Sequence, residues 1–83
     1  MKNQINHCIK TIIAAQSQIP IENIHDNSKF HANLGFDSLD VVNLISAINM
    51  EFSLNLMEND IIHLETVAEL VDCVEQKIEN KSA

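Results

Sequence analysis

Basic residues are scarce in this chain: five stand against twelve acidic ones, a formal net charge of −7 over 83 residues. A nucleic-acid surface needs Lys and Arg against phosphates, so this balance argues against one and suits a partner with a basic docking face. Cysteine is nearly absent. Cys8 and Cys73 lie far apart, with no C-x-x-C and no Cys/His ligand spacing, so no zinc site is expected. Both fall on apolar helical faces, where a reduced cysteine acts as a small buried hydrophobe, and a disulfide between them is not expected in a reducing compartment. Residues 1–7 lack the apolar core of a secretory signal, and no run approaches the ~20 apolar residues that span a bilayer. A cytoplasmic protein without a membrane span is the expectation, with residues 1–83 as a single small domain.

Proline and glycine occur once each, at Pro20 and Gly35. Pro20 biases Ile19 away from helical geometry, so a first helix over Asn3–Ser17 should stop before it. Its apolar face carries Ile5, Cys8, Ile9, Ile12, Ile13 and Gln16, with Asn3 as N-cap. From Gln18 to Asp37 the turn-forming residues Asn23, Asp26, Asn27, Ser28 and Asn33 exclude a regular element over the full length. A loop this long needs anchors, for which Ile21, Ile24, Phe30 and Leu34 stand, with one helical turn near Pro20–Ile24.

The best amphipathic pattern runs from Ser38 to Phe52. At about 100° per residue, Val41, Leu44, Ile45, Ile48 and Phe52 form a core stripe. Leu39, Val42 and Met50 fall outside it, on the side of Ser38 and Ser46. A second loop over Ser53–Glu65 should hold a short helix, Glu58–His63, anchored by Leu54, Leu56, Ile61, Ile62 and Leu64. Thr66-Val67-Ala68-Glu69 is a capping box that opens a last helix to Asn80, with Val67, Leu70, Val71, Val74 and Ile78 inward. Lys77 and Lys81 suit its C-terminal end, and residues 79–83 should fray. The fold class is therefore all-α: three long helices and one short one in a bundle, with a long loop after the first helix.

Gly35, Asp37, Ser38 and Asp40 converge where that loop enters the second long helix. Gly35 permits a positive-φ turn, Asp37 is a good N-cap, and Asp40 stands three residues on, where it reaches back. Ser38 is thus a hydroxyl on a helix N-terminus. Read from the residues alone, it is a first-turn serine. A catalytic serine would need a base and an oxyanion hole; there is no G-x-S-x-G, and only His25 or His31 lies in the preceding loop. A regulatory phosphoserine has no supporting motif. His7, His25, His31 and His63 show no paired metal spacing.

Gly35-Phe36-Asp37-Ser38-Leu39 resembles the Asp-Ser-Leu attachment motif of acyl carrier proteins. The length, acidity, preceding loop and following amphipathic helix agree, so the resemblance spans Ile5 to Ile78. It implies a four-helix acyl-carrier-type bundle that is not an enzyme. It implies 4′-phosphopantetheine joined to Ser38 as a phosphodiester by a phosphopantetheinyl transferase, and acyl groups held as thioesters on the arm. The implied partners are that transferase and acyltransferases, ketosynthases or acyl-activating enzymes, met by a monomer. Residues aligning with Leu39 and Val42 dock such enzymes in the family, and Asp37 and Asp40 add charge recognition. An acyl chain can slip between the helices against the core stripe. A peptidyl or aryl carrier, or an unmodified carrier-like interaction module, would share the pattern.

The sequence departs from the family in three ways. Fatty-acid carriers have a row of glutamates along this helix, where Asn43, Ser46, Asn49 and Met50 stand, leaving Asp37, Asp40 and Glu51 as the acids. Phe36 replaces a small residue, and Met57 replaces a proline before the short helix. These departures read as a specialised carrier, for a lipid or polyketide-type pathway, with fatty-acid biosynthesis the other assignment that the resemblance allows.

Overall fold

The computed structural model describes residues 2–82, with side chains over 3–80. Helix α1 spans Lys2–Ser17, so Asn3 lies within its first turn and does not cap it. Ile5, Ile9 and Ile13, four residues apart, are buried on one line, while Cys8 and Ile12 beside them are half-buried. The helix ends because Gln18 turns into the left-handed region at φ 64. Its N–H still reaches the Ala14 carbonyl at 2.8 Å, closing the last turn before Pro20 bars continuation.

The loop that follows holds one 3₁₀ turn, Ile21–Asn23. Ile24, Phe30 and Leu34 are buried as expected, whereas Ile21 is half-buried. The loop is fastened on two sides. The Phe30 N–H donates to the Glu65 carbonyl at 3.0 Å, the Val67 N–H to Ser28 at 3.1 Å, and the Ala68 N–H to Asp26 at 2.8 Å. On the other side the Asp26 carboxylate accepts from Asn6 Nδ2 at 2.9 Å and pairs with Lys10 Nζ at 2.8 Å. The three backbone bonds satisfy groups that an unanchored loop would leave to solvent, and the side-chain contacts tie the loop to α1.

Helix α2 covers Ser38–Phe52, α3 Glu58–Ile61 and α4 Val67–Ser82, and no strand occurs among the described residues beyond one isolated bridge, Lys29 to Thr66. On α2, Leu44, Ile45 and Ile48 are buried. Val41 and Phe52 are half-buried against that core; Phe52 is the last helical residue, and the chain leaves at Ser53 with φ 54. Helix α3 is two residues shorter than the expected Glu58–His63. Only its Ile61 is buried, and Ile62, about 100° further round, is 58% exposed and so no anchor. Leu54 and Leu56 are buried and Leu64 half-buried.

The capping box of α4 forms as read: Glu69 Oε1 accepts the Thr66 N–H at 3.1 Å and Thr66 Oγ1 accepts the Glu69 N–H at 3.2 Å. Val67, Leu70, Val71 and Val74 are buried, and Ile78 is partly so. The helix continues through Ser82, two residues past its expected end at Asn80. Glu79 and Lys81 in that stretch are good helix formers. The Lys81 side chain and Ala83 lie outside what is described. Helix α1 packs against both α2 and α4, and the core runs between the three. Cys8 and Cys73 are half-buried free thiols rather than fully buried ones.

Candidate functional site

The N-terminus of α2 is built by two aspartates that grip each other's backbone. Asp37 Oδ1 accepts the Asp40 N–H at 2.9 Å, and Asp40 Oδ2 accepts the Asp37 N–H at 3.2 Å. Asp37 itself is extended, at φ −103 and ψ −173, as an N-cap requires. The hydrogen bond from the Asp40 N–H, foremost, holds the Asp37 carboxyl below its ordinary 3.8. The carbonyl of Asp40 is in turn bound by Gln16 Nε2 at 2.6 Å, which fixes the start of α2 to the end of α1.

Ser38 is therefore the first residue of a rigid, capped helix. It is exposed, and among the described residues its hydroxyl makes no hydrogen bond. The loop reaches it through Gly35, at φ 69, flanked by Leu34 and Phe36. Phe36 is 4% exposed, and its ring stands 5.9 Å from that of Phe30. Sequence reasoning saw Phe36 only as a departure from a family pattern. The chain passes Gly35 at φ 69 and so is not a regular strand there, and no two-residue alternation in the sequence announces that Phe36 is buried.

Beside Ser38 opens a cavity of about 90 Å³. Phe30, Val41, Leu44, Ile61, Leu64 and Leu70 make its apolar wall; His31, Ser38, Glu58 and Ile62 also line it. It lies between the long loop, α2, α3 and α4, so the short α3 forms one side. Leu44 and Val41, both of the predicted core stripe, face this space. His31 Nδ1 lies 2.6 Å from the Phe36 carbonyl. No hydrogen bond joins His31 to Ser38, so the pair lacks the contact through which a base would activate a serine.

The remaining candidate residues divide. Leu39 is 68% and Val42 43% exposed, next to Ser38 on α2, and Met50 is 84% exposed further along. Asp37 and Glu51 are exposed and Asp40 is half-buried, its carboxylate engaged with the Asp37 N–H. Glu51 is near enough to Cys8 of α1 to help push that thiol up, after burial as the larger cause. His7, His25 and His63 line no part of the cavity. Among the described residues no group of three His, Cys, Asp or Glu is placed to hold a metal ion, and no helix is long and apolar enough to cross a membrane.

Residues 8–74 match the family model described as phosphopantetheine attachment site. The chain is similar to the acyl carrier protein of Buchnera aphidicola from Schizaphis graminum, at 37% identity over 75 residues, which cover 90% of this chain and 95% of that protein. It is 35% identical over 75 residues to acyl carrier protein 3 of Ralstonia nicotianae, covering 90% and 86% of the two chains. With the acyl carrier protein of Cyanidium caldarium it shares 35% identity over 81 residues, or 98% and 94%. An all-helical bundle with a capped serine beside an apolar cavity, matched over most of its length, belongs to the phosphopantetheine-attachment family of carrier proteins.

Proposed function

We propose that Ser38 carries 4′-phosphopantetheine and that residues 1–83 act as one acyl carrier domain. Acyl carriage is the role of the relatives it resembles, and when bound the arm supplies a thiol that holds acyl groups as thioesters. The observation that carries the assignment to Ser38 is its unbonded, exposed hydroxyl on the first turn of α2. The residues there fit a phosphodiester-linked arm. The positive end of the helix favours added negative charge, and the apolar cavity alongside can cover part of an acyl chain at roughly 0.8 kcal/mol per buried CH₂.

The chain itself performs no catalysis in this reading. It is a cytoplasmic monomer without a nucleic-acid partner. It meets a phosphopantetheinyl transferase and then acyltransferases, ketosynthases or acyl-activating enzymes. Leu39 and Val42 form the contact surface, with Asp37, Asp40 and Glu51 as flanking charge. The outward row Asn43, Ser46 and Met50 is uncharged, which supports a dedicated lipid or polyketide-type pathway over the general fatty-acid one.

Incubation with coenzyme A and a broad-specificity transferase tests the assignment by intact mass. A pantetheine adduct is expected on the wild type and none on Ser38→Ala. An unmodified wild type, or an adduct that survives the substitution, sinks it. Recovering the loaded arm from the native host and identifying its acyl group by mass spectrometry then names the cargo.

A further inference from the structure

The cavity wall beside Ser38 carries one side chain able to take a positive charge, His31. A carbonyl oxygen only accepts hydrogen bonds, so the 2.6 Å contact with the Phe36 carbonyl puts a proton on Nδ1 and leaves Nε2 as the open ring nitrogen. The anchor is firm: Phe36 is a core residue packed on Phe30, and it stands two positions before Ser38. The ring thus lines the same recess as Ser38.

The charges around this recess are otherwise negative. Asp37 and Asp40 flank Ser38 on α2, and Glu58 lines the cavity from α3; α4 contributes only Leu70. A phosphodiester added at Ser38 brings one more negative charge among three carboxylates. The group on the cavity wall that can offset it is the imidazole.

We propose that His31 is a binding residue for the arm on Ser38: its imidazolium Nε2–H pairs with the phosphodiester and holds the first part of the arm at the cavity mouth. This rests on the reading of Ser38 given above. The protonated ring holds the arm against the loop, and the neutral ring releases it, so retention of the arm falls as pH rises through the titration of His31.

The test compares apo and holo protein, with loading verified by intact mass. Ring resonances of all four histidines are followed by NMR against pH. The His31 midpoint should rise by about half to one pH unit on loading, the direction a nearby opposite charge dictates. His7, His25 and His63 should stay where they are, and Glu58 acts in both forms and so cancels. The phosphorus resonance of the arm should show a step at the same pH in wild type and none in His31→Gln. Equal His31 midpoints in apo and mass-verified holo protein overturn the proposal, and that comparison needs no variant. So does a phosphorus step that survives His31→Gln. Failure of Ser38 to take the arm at all removes the underlying assignment and this inference with it, and the mass measurement tells the two failures apart.

Discussion

Asn49 holds Leu56 by both halves of its backbone. Nδ2 donates to the Leu56 carbonyl at 2.9 Å, and Oδ1 accepts the Leu56 N–H at 2.9 Å. The side chain thereby pins the segment between α2 and α3 across the end of α2. In the sequence, Asn49 reads as one of the outward positions that lost a glutamate; in the fold it turns in toward the chain that follows.

Asn49→Ala should cost about 1–3 kcal/mol, since two partly buried backbone groups lose their partners. Asn43→Ala, on the exposed side of the same helix, should stay within about 0.5 kcal/mol. Urea midpoints decide it; equal effects would mean that the Asn49 pair contributes nothing.

Two positive-φ positions should respond with opposite signs. An added Cβ at Gly35 meets nothing within 4 Å, so crowding is no obstacle there. Its φ of 69 alone should make Gly35→Ala cost about 1–2 kcal/mol. Gln18, exposed with φ 64, pays that strain already, so Gln18→Gly should raise stability by a few tenths to about 1 kcal/mol. Thermal midpoints of the two variants should bracket the wild type.

Acid should weaken the helix starts. The Asp40 N–H holds Asp37 below its ordinary 3.8, and the N–H groups of Glu65 and Thr66 hold Glu69 below 4.5. The unfolded chain then binds more protons than the folded one between these limits. The stabilisation is fully present above the unfolded values and is lost as pH falls through the folded ones. Loss of net negative charge acts oppositely by relieving self-repulsion, so the informative quantity is a difference. The gap in urea midpoint between wild type and Asp37→Asn, or Glu69→Gln, should be largest above pH 5 and shrink towards pH 3. A gap that widens in acid contradicts the assignment.

The two protein thiols should be slow nucleophiles. Burial raises Cys8, with Glu51 adding to it, and burial raises Cys73 above the opposing influence of Lys77. At neutral pH a thiol-directed reagent should therefore label native Cys8 and Cys73 more slowly than free cysteine, and denaturation should restore the rate. Peptide mapping of a timed reaction measures this, and native rates equal to unfolded ones would contradict the burial.

Docking should depend on apolar contact more than on charge. Exposed acidic groups are screened over about 10 Å at 0.1 M salt and contribute modestly, whereas an apolar anchor in a desolvated pocket can exceed 2 kcal/mol. Val42→Asp should abolish transfer from a cognate acyltransferase with the fold intact, and Asn43→Glu should change it less. Transfer rates against salt would contradict this if they fell steeply while Val42→Asp remained active.

What the sequence revealed and what it hid have separable causes. The bounds of α2, the Asp37–Asp40 box and the Thr66–Glu69 box were legible, because caps and helical period act over three or four residues. The exposure of Leu39, Val42 and Met50 followed from the same wheel. Three features were not legible. Phe36 is buried because Phe30, in the same loop, waits for it. Asn49 turns inward because a carbonyl seven residues later accepts its amide. His31 stands beside Ser38 because the loop folds back to hydrogen-bond the Phe36 carbonyl. Each depends on where an irregular segment returns, and no periodicity encodes that.

The hydrogen bonds from Val67 to Ser28 and from Phe30 to Glu65 join points far apart in the chain. They close a ring of ~40 residues that contains all of α2 and α3, and most of the entropic cost of a closure that long falls on the first contact. Within the ring, α3 is a single turn with one buried side chain, Ile61, and so short a helix has little stability of its own. Beyond that core contact, the ion pair from Lys77 of α4 to Asp60 of α3 is long, at 3.7 Å. One wall of the cavity can thus melt and reform while the frame around it stays shut. Widening the space beside Ser38 should therefore cost less than unfolding the whole chain, as a sub-global opening does.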